Sequence, residues 1–173
     1  MKKVYLIGYM GSGKSAIGRR LSYALKMPYY DMDREIERKM GMKIPEIFET
    51  FGEEYFRTLE TEFLLNFRDE WCIISTGGGT PMRKENREIL RATGLVLFLN
   101  APFHEIWRRI RTDRNRPIVQ RSTREELQKL YAERKKVYRR TAHISVNTEG
   151  RSLRQATEYA ARQVRRLKGK QPN

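Results

Sequence analysis

The sequence is poor in cysteine, histidine, long apolar runs and acidic residues. Its one cysteine, Cys72, excludes an internal disulfide framework. It lies in the apolar run Trp71 to Ile74, where a buried, inert thiol is expected, and a reducing compartment is its natural home. The two histidines, His104 and His143, have no partner at metal-ligand spacing, so structural roles are expected of both. The apolar run Val4 to Ile7 is too short for the hydrophobic region of a signal peptide, and no segment approaches the roughly 20 apolar residues of a membrane span. A cytoplasmic protein without membrane attachment is expected. No internal repeat, low-complexity tract or Pro/Gly-rich linker interrupts the chain, which excludes repeat arrays and domains strung on linkers.

Acidic residues are scarce relative to basic ones: 21 Asp plus Glu against 36 Lys plus Arg, a formal net charge of +15. Thirteen of those fifteen excess charges fall in residues 101–173, which hold 20 basic and 7 acidic residues. A balance this basic raises polyanions, an anionic membrane surface or phosphorylated small molecules as partners. The remaining composition is ordinary for a globular protein, with 39% hydrophobic, 33% charged and 10% aromatic residues. At 173 residues the chain suits one domain spanning 1–173.

Short apolar, β-branched segments alternate with longer charged segments of helical period, the pattern of an α/β protein with a parallel sheet covered by helices on both faces. The predicted strands are Val4 to Ile7, Tyr29 to Asp31, Cys72 to Ser75, Leu95 to Leu99 and His143 to Val146. Predicted helices cover Lys14 to Leu25, Arg34 to Met40, Ile44 to Phe51, Glu54 to Phe67, Lys84 to Ala92, Phe103 to Arg111, Thr123 to Arg140 and Leu153 to Leu167. Trp71 and Trp107 are expected to be packing residues. The segment 112–122 has almost no apolar content and reads as a mobile surface loop, a candidate lid. The tail 168–173 reads as disordered.

Gly8-Tyr9-Met10-Gly11-Ser12-Gly13-Lys14-Ser15 matches the phosphate-loop pattern G-x-x-x-x-G-K-[ST] and sits between a predicted strand and a predicted helix, as its mechanism demands. Its glycines let backbone N–H groups turn inward at phosphate oxygens, and the helix N-terminus adds its positive end. Lys14 bridges phosphates and the Ser15 hydroxyl ligates Mg²⁺. A guanine-recognition signal of the Asn-Lys-x-Asp kind is absent and motor ATPases need more chain, so a small kinase using ATP and Mg²⁺ is favoured.

The acceptor side rests on three further segments. Asp31 and Asp33 end the second predicted strand, where alternation puts both on one side at the carboxyl edge of the sheet. One would hold Mg²⁺ waters and the other would accept a substrate hydroxyl's hydrogen bond or proton; the plain alternative is that Asp33 caps a helix starting at Arg34. Arg57 and Glu60, three apart on a helix, are either a surface ion pair or a guanidinium pre-oriented for bidentate capture of a carboxylate. Gly77-Gly78-Gly79 after the third strand is entropically costly unless some group approaches the backbone closely, and a ligand is the simplest such group.

Taken together and in order, these pieces resemble the shikimate kinase family. The resemblance covers Tyr5 to about Ser152 and rests on six motifs. They are the phosphate loop, Asp31-x-Asp33, Gly52-Glu53-x-x-Phe56-Arg57-x-x-Glu60, Thr76-Gly77-Gly78-Gly79, Arg116-Pro117, and Glu133-Arg134 followed by Tyr138 and Ala142. It implies a three-layer α-β-α fold of the P-loop NTPase type with a five-stranded parallel sheet and a mobile lid. The implied reaction is ATP-dependent phosphorylation of the 3-hydroxyl of shikimate, a step of aromatic amino-acid biosynthesis.

By motif position the resemblance implies that Asp33 holds the reacting hydroxyl and receives its proton, with Lys14 and Arg116 as the other catalytic residues. Arg57 and Arg134 would clamp the substrate carboxylate, with Gly78 and Gly79 also at the substrate. Gly11, Ser12, Gly13, Lys14, Ser15, Ala16, Arg116 and Arg151 would contact ATP. Ser15 would ligate the metal directly and Asp31 through water, since the third strand ends in Ser75 and carries no acid. Ala16 stands where the family has a hydroxyl or amide residue, removing one contact to the α-phosphate. Any of Arg108, Arg109 and Arg111 could stack on adenine.

Two other readings stay open on the residues alone. Another small-molecule kinase of the gluconate or nucleoside monophosphate type lacks a use for the paired arginines. An ATP-dependent nucleic-acid-binding protein would need basic and aromatic residues interleaved, which are missing, so a nucleic-acid partner is not expected. A monomer is expected, and the surplus positive charge is expected to steer anionic substrates to the cleft.

Overall fold

The computed structural model describes residues 3–113 and 117–168. The first half runs β1 (Lys3–Ile7), α1 (Lys14–Leu25), β2 (Tyr29–Asp31), α2 (Met32–Met40), α3 (Ile44–Phe51), α4 (Glu53–Asn66) and β3 (Ile73–Ser75). A single 3-10 turn (Thr80–Met82) then leads to α5 (Lys84–Thr93), β4 (Gly94–Asn100), α6 (Phe103–Ile110), α7 (Pro117–Arg121), α8 (Arg124–Thr141), β5 (Ile144–Asn147) and α9 (Leu153–Lys168). All strand pairs are parallel and their order is β2-β3-β1-β4-β5. The α/β sheet of five parallel strands expected from the sequence is therefore present.

Strand alternation divides the core into two layers. Tyr5 and Ile7 of β1, Ile74 of β3, and Val96 and Phe98 of β4 point to one face, where Met32, Phe56, Leu90, Leu127 and Tyr138 pack on them. Val4, Leu6, Ile73, Leu95, Leu97 and Leu99 point to the other, against Ile17 and Leu21 of α1 and Ala156, Ala160 and Val164 of α9. A strand buried on both faces carries near-continuous apolar sequence, and β1 and β4 have that form. Gly18 explains how closely α1 approaches the sheet: a Cβ there would lie 2.4 Å from the Tyr29 ring and 3.0 Å from Leu6.

Four expectations need correction. Trp71 is 48% exposed because β3 starts only at Ile73, leaving the indole on the preceding loop, while Cys72 is fully buried. The segment 112–122, expected as a loop, contains the helix α7, whose Val119 is 7% exposed and packs into the core. The helix after β2 begins at Met32 rather than Arg34, because the buried Met32 turns the chain one residue after Asp31. Of the expected disordered tail 168–173, Lys168 ends α9 instead, and residues 169–173 lie outside the described residues.

The strand order places the site. β1 pairs with β3, and β3 with β2, so the segments leaving the carboxyl ends of these three strands lie side by side. This is the edge at which open parallel sheets bind ligands. Thr76 N donates to Leu6 O at 3.1 Å, fastening the glycine turn to the root of the phosphate loop.

Candidate active site

Three glycines of the phosphate loop have positive φ: Gly8 (153°), Gly11 (75°) and Gly13 (93°). A Cβ on Gly11 would meet Ile110 at 2.6 Å, so α6 also closes on the loop there. Gly13 is the N-cap of α1, which has no side-chain cap and no acid in its first turn. The orphan N–H groups and positive dipole end of that helix are left for an anion. Lys14 Nζ donates to the carbonyls of Gly8 at 2.8 Å and Tyr9 at 3.0 Å, which hold the ammonium within the loop. Ser12 is buried, with an Oγ that has no hydrogen-bond partner among the described residues, whereas Ala16 is exposed. Of the three arginines on α6 and its end, Arg109 reaches the loop, donating to Gly11 O at 2.9 Å while pairing with Glu105 at 3.1 Å.

Ser15 Oγ donates to Asp31 Oδ2 at 3.2 Å, so a hydroxyl and a carboxylate adjoin where the loop opens into α1. This oxygen donor set fits Mg²⁺, which takes one or two protein oxygens and completes its shell with phosphates and waters. Among the described residues no group of three or more His, Cys, Asp and Glu could hold a metal. Asp31, not Asp33, is the N-cap of α2, accepting from Arg34 N at 3.4 Å. Asp33 sits in the first helical turn instead of on a strand, and it reaches the site by helix geometry rather than alternation.

Two cavities meet at Asp33. One, of about 350 Å³, is lined by Gly11, Gly13, Lys14, Ser15, Ala16, Asp31 and Arg109. The other, of about 740 Å³, is lined by Arg57, Glu53, Glu60, Gly79, Arg134 and an apolar wall that includes Ile44, Phe48 and Phe56. Met10, Asp33, Gly77 and Gly78 border both. Ile118 and Arg121 of α7 also face the larger cavity.

Arg57 and Glu60 are not a surface pair. Arg57 is 18% exposed and Glu60 fully buried, with Nη1 donating to Glu60 Oε2 at 2.8 Å and Nη2 to Glu53 Oε1 at 2.8 Å. Burial opposes the charge of Arg57, yet the Glu60 carboxylate and the hydrogen bonds to Glu60 and Glu53 hold the guanidinium above its ordinary pKa. The second oxygen of Glu60 accepts from Thr80 Oγ1 at 2.5 Å. Asn86 Nδ2 donates to Thr80 O at 2.9 Å, and Thr61 Oγ1 donates to Asn86 Oδ1 at 2.8 Å. A satisfied buried chain of this kind fixes the carboxylate that aims the guanidinium.

That network comes close to two of the three glycines. A Cβ on Gly79 would lie 2.4 Å from Arg57 Nη1, and one on Gly77 would lie 2.8 Å from Glu60 Oε1 and 3.0 Å from Asp33 Oδ1. At Gly78 nothing comes nearer than 3.6 Å. Its carbonyl accepts from Tyr138 Oη at 2.6 Å, and burial pushes that phenol well above its ordinary pKa. Arg134, on α8, lies with its guanidinium 6.0 Å from the centre of the Tyr9 ring, and its buried Nε has no hydrogen-bond partner among the described residues. A buried donor without a partner is costly, and an anion in this cavity would satisfy it.

Arg116 lies outside the described residues. Arg151 is exposed after β5, donating to Asn147 O with its guanidinium over the Tyr159 ring at 4.8 Å. Glu53, Thr80, Asn86 and Arg121 carry no site role in the sequence analysis; Glu53 alone has a local signal there, its place in the Gly52 to Glu60 motif and its i, i+4 spacing from Arg57.

The family model for shikimate kinase matches residues 10–165. A shikimate kinase of Nitrosospira multiformis is 44% identical over 165 residues, covering 93% of this chain and 84% of that protein. One from Sulfurihydrogenibium sp. is 38% identical over 169 residues, covering 96% and 99%. Among solved structures, a shikimate kinase from Acinetobacter baumannii in complex with shikimate superposes with a TM-score of 0.89 at 36% identity, covering 99% of this chain and 96% of that one. A gluconokinase from Sinorhizobium meliloti, at 14% identity and a TM-score of 0.56, shares the fold.

Proposed function

This chain belongs to the shikimate kinase family, and from that membership we propose that it transfers the γ-phosphate of ATP to the 3-hydroxyl of shikimate. The products are ADP and shikimate 3-phosphate, and the step belongs to aromatic amino-acid biosynthesis. The observation that carries the reading is the junction of two cavities at Asp33, one walled by the phosphate loop and the other by Arg57 and Arg134. A donor held in the first and an acceptor held in the second would meet at one carboxylate.

In this reading the loop from Gly11 to Ala16 and the N-terminus of α1 hold the ATP phosphates, and Lys14 leaves its carbonyl partners for phosphate oxygens. Arg57 and Arg134 bind the substrate carboxylate, with Gly78 and Gly79 beside the ring. The reacting hydroxyl oxygen bonds to the γ-phosphorus as the bond from that phosphorus to the bridging oxygen breaks, and Asp33 takes the hydroxyl proton. Ser15 directly, and Asp31 through water, would hold Mg²⁺, which neutralises phosphate charge. Arg116 would stabilise transferring charge, Arg151 would contact the nucleotide, and the segment around α7 would act as the lid excluding water. We read the chain as one monomeric domain in the cytoplasm.

Purified protein with MgATP, challenged in parallel with shikimate, gluconate and nucleoside monophosphates, tests this. ADP release well above background with shikimate alone is the expected result. Release with gluconate or a nucleoside monophosphate and none with shikimate contradicts it.

A further inference from the structure

Arg57 is held by two carboxylates that differ in what they can do. Glu60 is fully buried and has its other oxygen on Thr80, so it cannot leave without breaking a buried hydrogen bond. Glu53 is 65% exposed, at the first position of α4, and among the described residues its carboxylate pairs with Arg57. Its side chain borders the larger cavity together with Arg57 and Arg134. The exposed face of Arg57 therefore already carries a carboxylate, tethered one helical turn away. An incoming acid competes with that group for Nη2.

We propose that Glu53 is a built-in stand-in for the substrate carboxylate, seated on Arg57 until an acid displaces it. This rests on the reading of Arg57 as a carboxylate binder. Glu60 keeps Nη1 paired throughout, and exchange of one carboxylate for another keeps Nη2 paired as well, so no donor of the largely buried guanidinium is left without an acceptor. It also favours acids as substrates, because a neutral ring has nothing with which to displace Glu53. The tether sets a modest opposing force, since exposed i, i+4 ion pairs are weak.

The test is Glu53→Gln, which keeps the size and removes the charge, assayed with shikimate and with its uncharged methyl ester. The shikimate KM is expected to fall about two- to fivefold, the range that loss of a weak exposed pair and of one repelling charge allows. The ester KM and the ATP KM are expected to stay put. Glu54→Gln, which removes the neighbouring acid paired with Arg83, controls for general electrostatics and is expected to leave the shikimate KM unaltered. An unchanged or raised shikimate KM in Glu53→Gln overturns the proposal, as does an equal fall for the ester or in Glu54→Gln. Parent protein without shikimate-dependent ADP release refutes the underlying reading and this inference with it, whereas activity with an unmoved KM overturns the stand-in alone.

Discussion

Replacing Gly79 with alanine perturbs the aim of Arg57 directly. The backbone there is right-handed (φ −85°, ψ −17°), so alanine meets no conformational objection. Its Cβ would lie 2.4 Å from Arg57 Nη1, 2.6 Å from Cζ and 2.7 Å from Nη2. Non-bonded contacts settle near 3.5 Å, so the guanidinium must retreat by about 1 Å. Glu60 cannot follow, being buried and bonded to Thr80. A misplacement of about 1 Å in a positioning group costs up to about 10²-fold in efficiency, so the shikimate KM is expected to rise tens of fold while the ATP KM stays within about twofold. If the retreat breaks the Arg57 to Glu60 pair, roughly 3–5 kcal/mol of stability goes with it, about 6–20 °C in Tm for a chain of this size. Steady-state ADP release with each substrate varied, and a thermal melt, read both effects. Gly78→Ala, whose Cβ would meet nothing nearer than 3.6 Å, serves as the stability control and is expected to keep its Tm. A Gly79→Ala enzyme with a shikimate KM within threefold of the parent refutes the reasoning.

Three further outcomes follow from the same geometry. Asp33→Asn is expected to lower kcat by about 10²–10⁴, the usual share of a general base, with shikimate and ATP still binding by calorimetry; retained turnover would remove Asp33 from the chemistry. Gly18→Ala drives a methyl into the Tyr29 ring and is expected to destabilise by about 1–3 kcal/mol, visible as a lowered Tm with kcat unchanged. His143 accepts from Val96 N at 3.0 Å, and burial, then Arg91, hold its pKa below the ordinary 6.5. The unfolded chain therefore binds the proton more readily. Its contribution to stability is complete above pH 6.5 and is lost as pH falls through the depressed folded value. Melts at pH 7.5 and 5.5 should show a drop that His143→Asn reduces, and an identical drop in that variant would exclude His143 as a source.

What could be read from the chain tracks how local the physics is. Helix α1 runs from Lys14 to Leu25 as the spacing of Ile17, Leu21 and Leu25 predicts, because the phosphate loop and a 3.6-residue stripe both act within a few residues. Sequence points to both Asp31 and Asp33, but the capping weighed for Asp33 falls to Asp31. The strand stops at Asp31, and one residue of difference decides which carboxylate caps the helix and which enters its first turn. The burial of Glu60 and its chain through Thr80, Asn86 and Thr61 left no trace in sequence. Those bonds join α4, the 3-10 turn and α5, and non-local hydrogen bonds impose no period. The glycine run predicts a close approach to the backbone, and the groups found against Gly77 and Gly79 are side chains brought there from α2 and α4, which sequence does not reveal. The strand order β2-β3-β1-β4-β5, which makes neighbours of segments some forty to seventy residues apart, depends on long-range packing and was likewise not legible.

The most direct test of the account follows the phosphate itself. A ³¹P NMR time course of purified protein with MgATP and shikimate should show the γ-phosphate signal of ATP decaying as a single phosphomonoester signal grows, split by one ring proton as a secondary-alcohol ester requires. Growth of inorganic phosphate alone, or a phosphomonoester that forms equally without shikimate, would contradict the account.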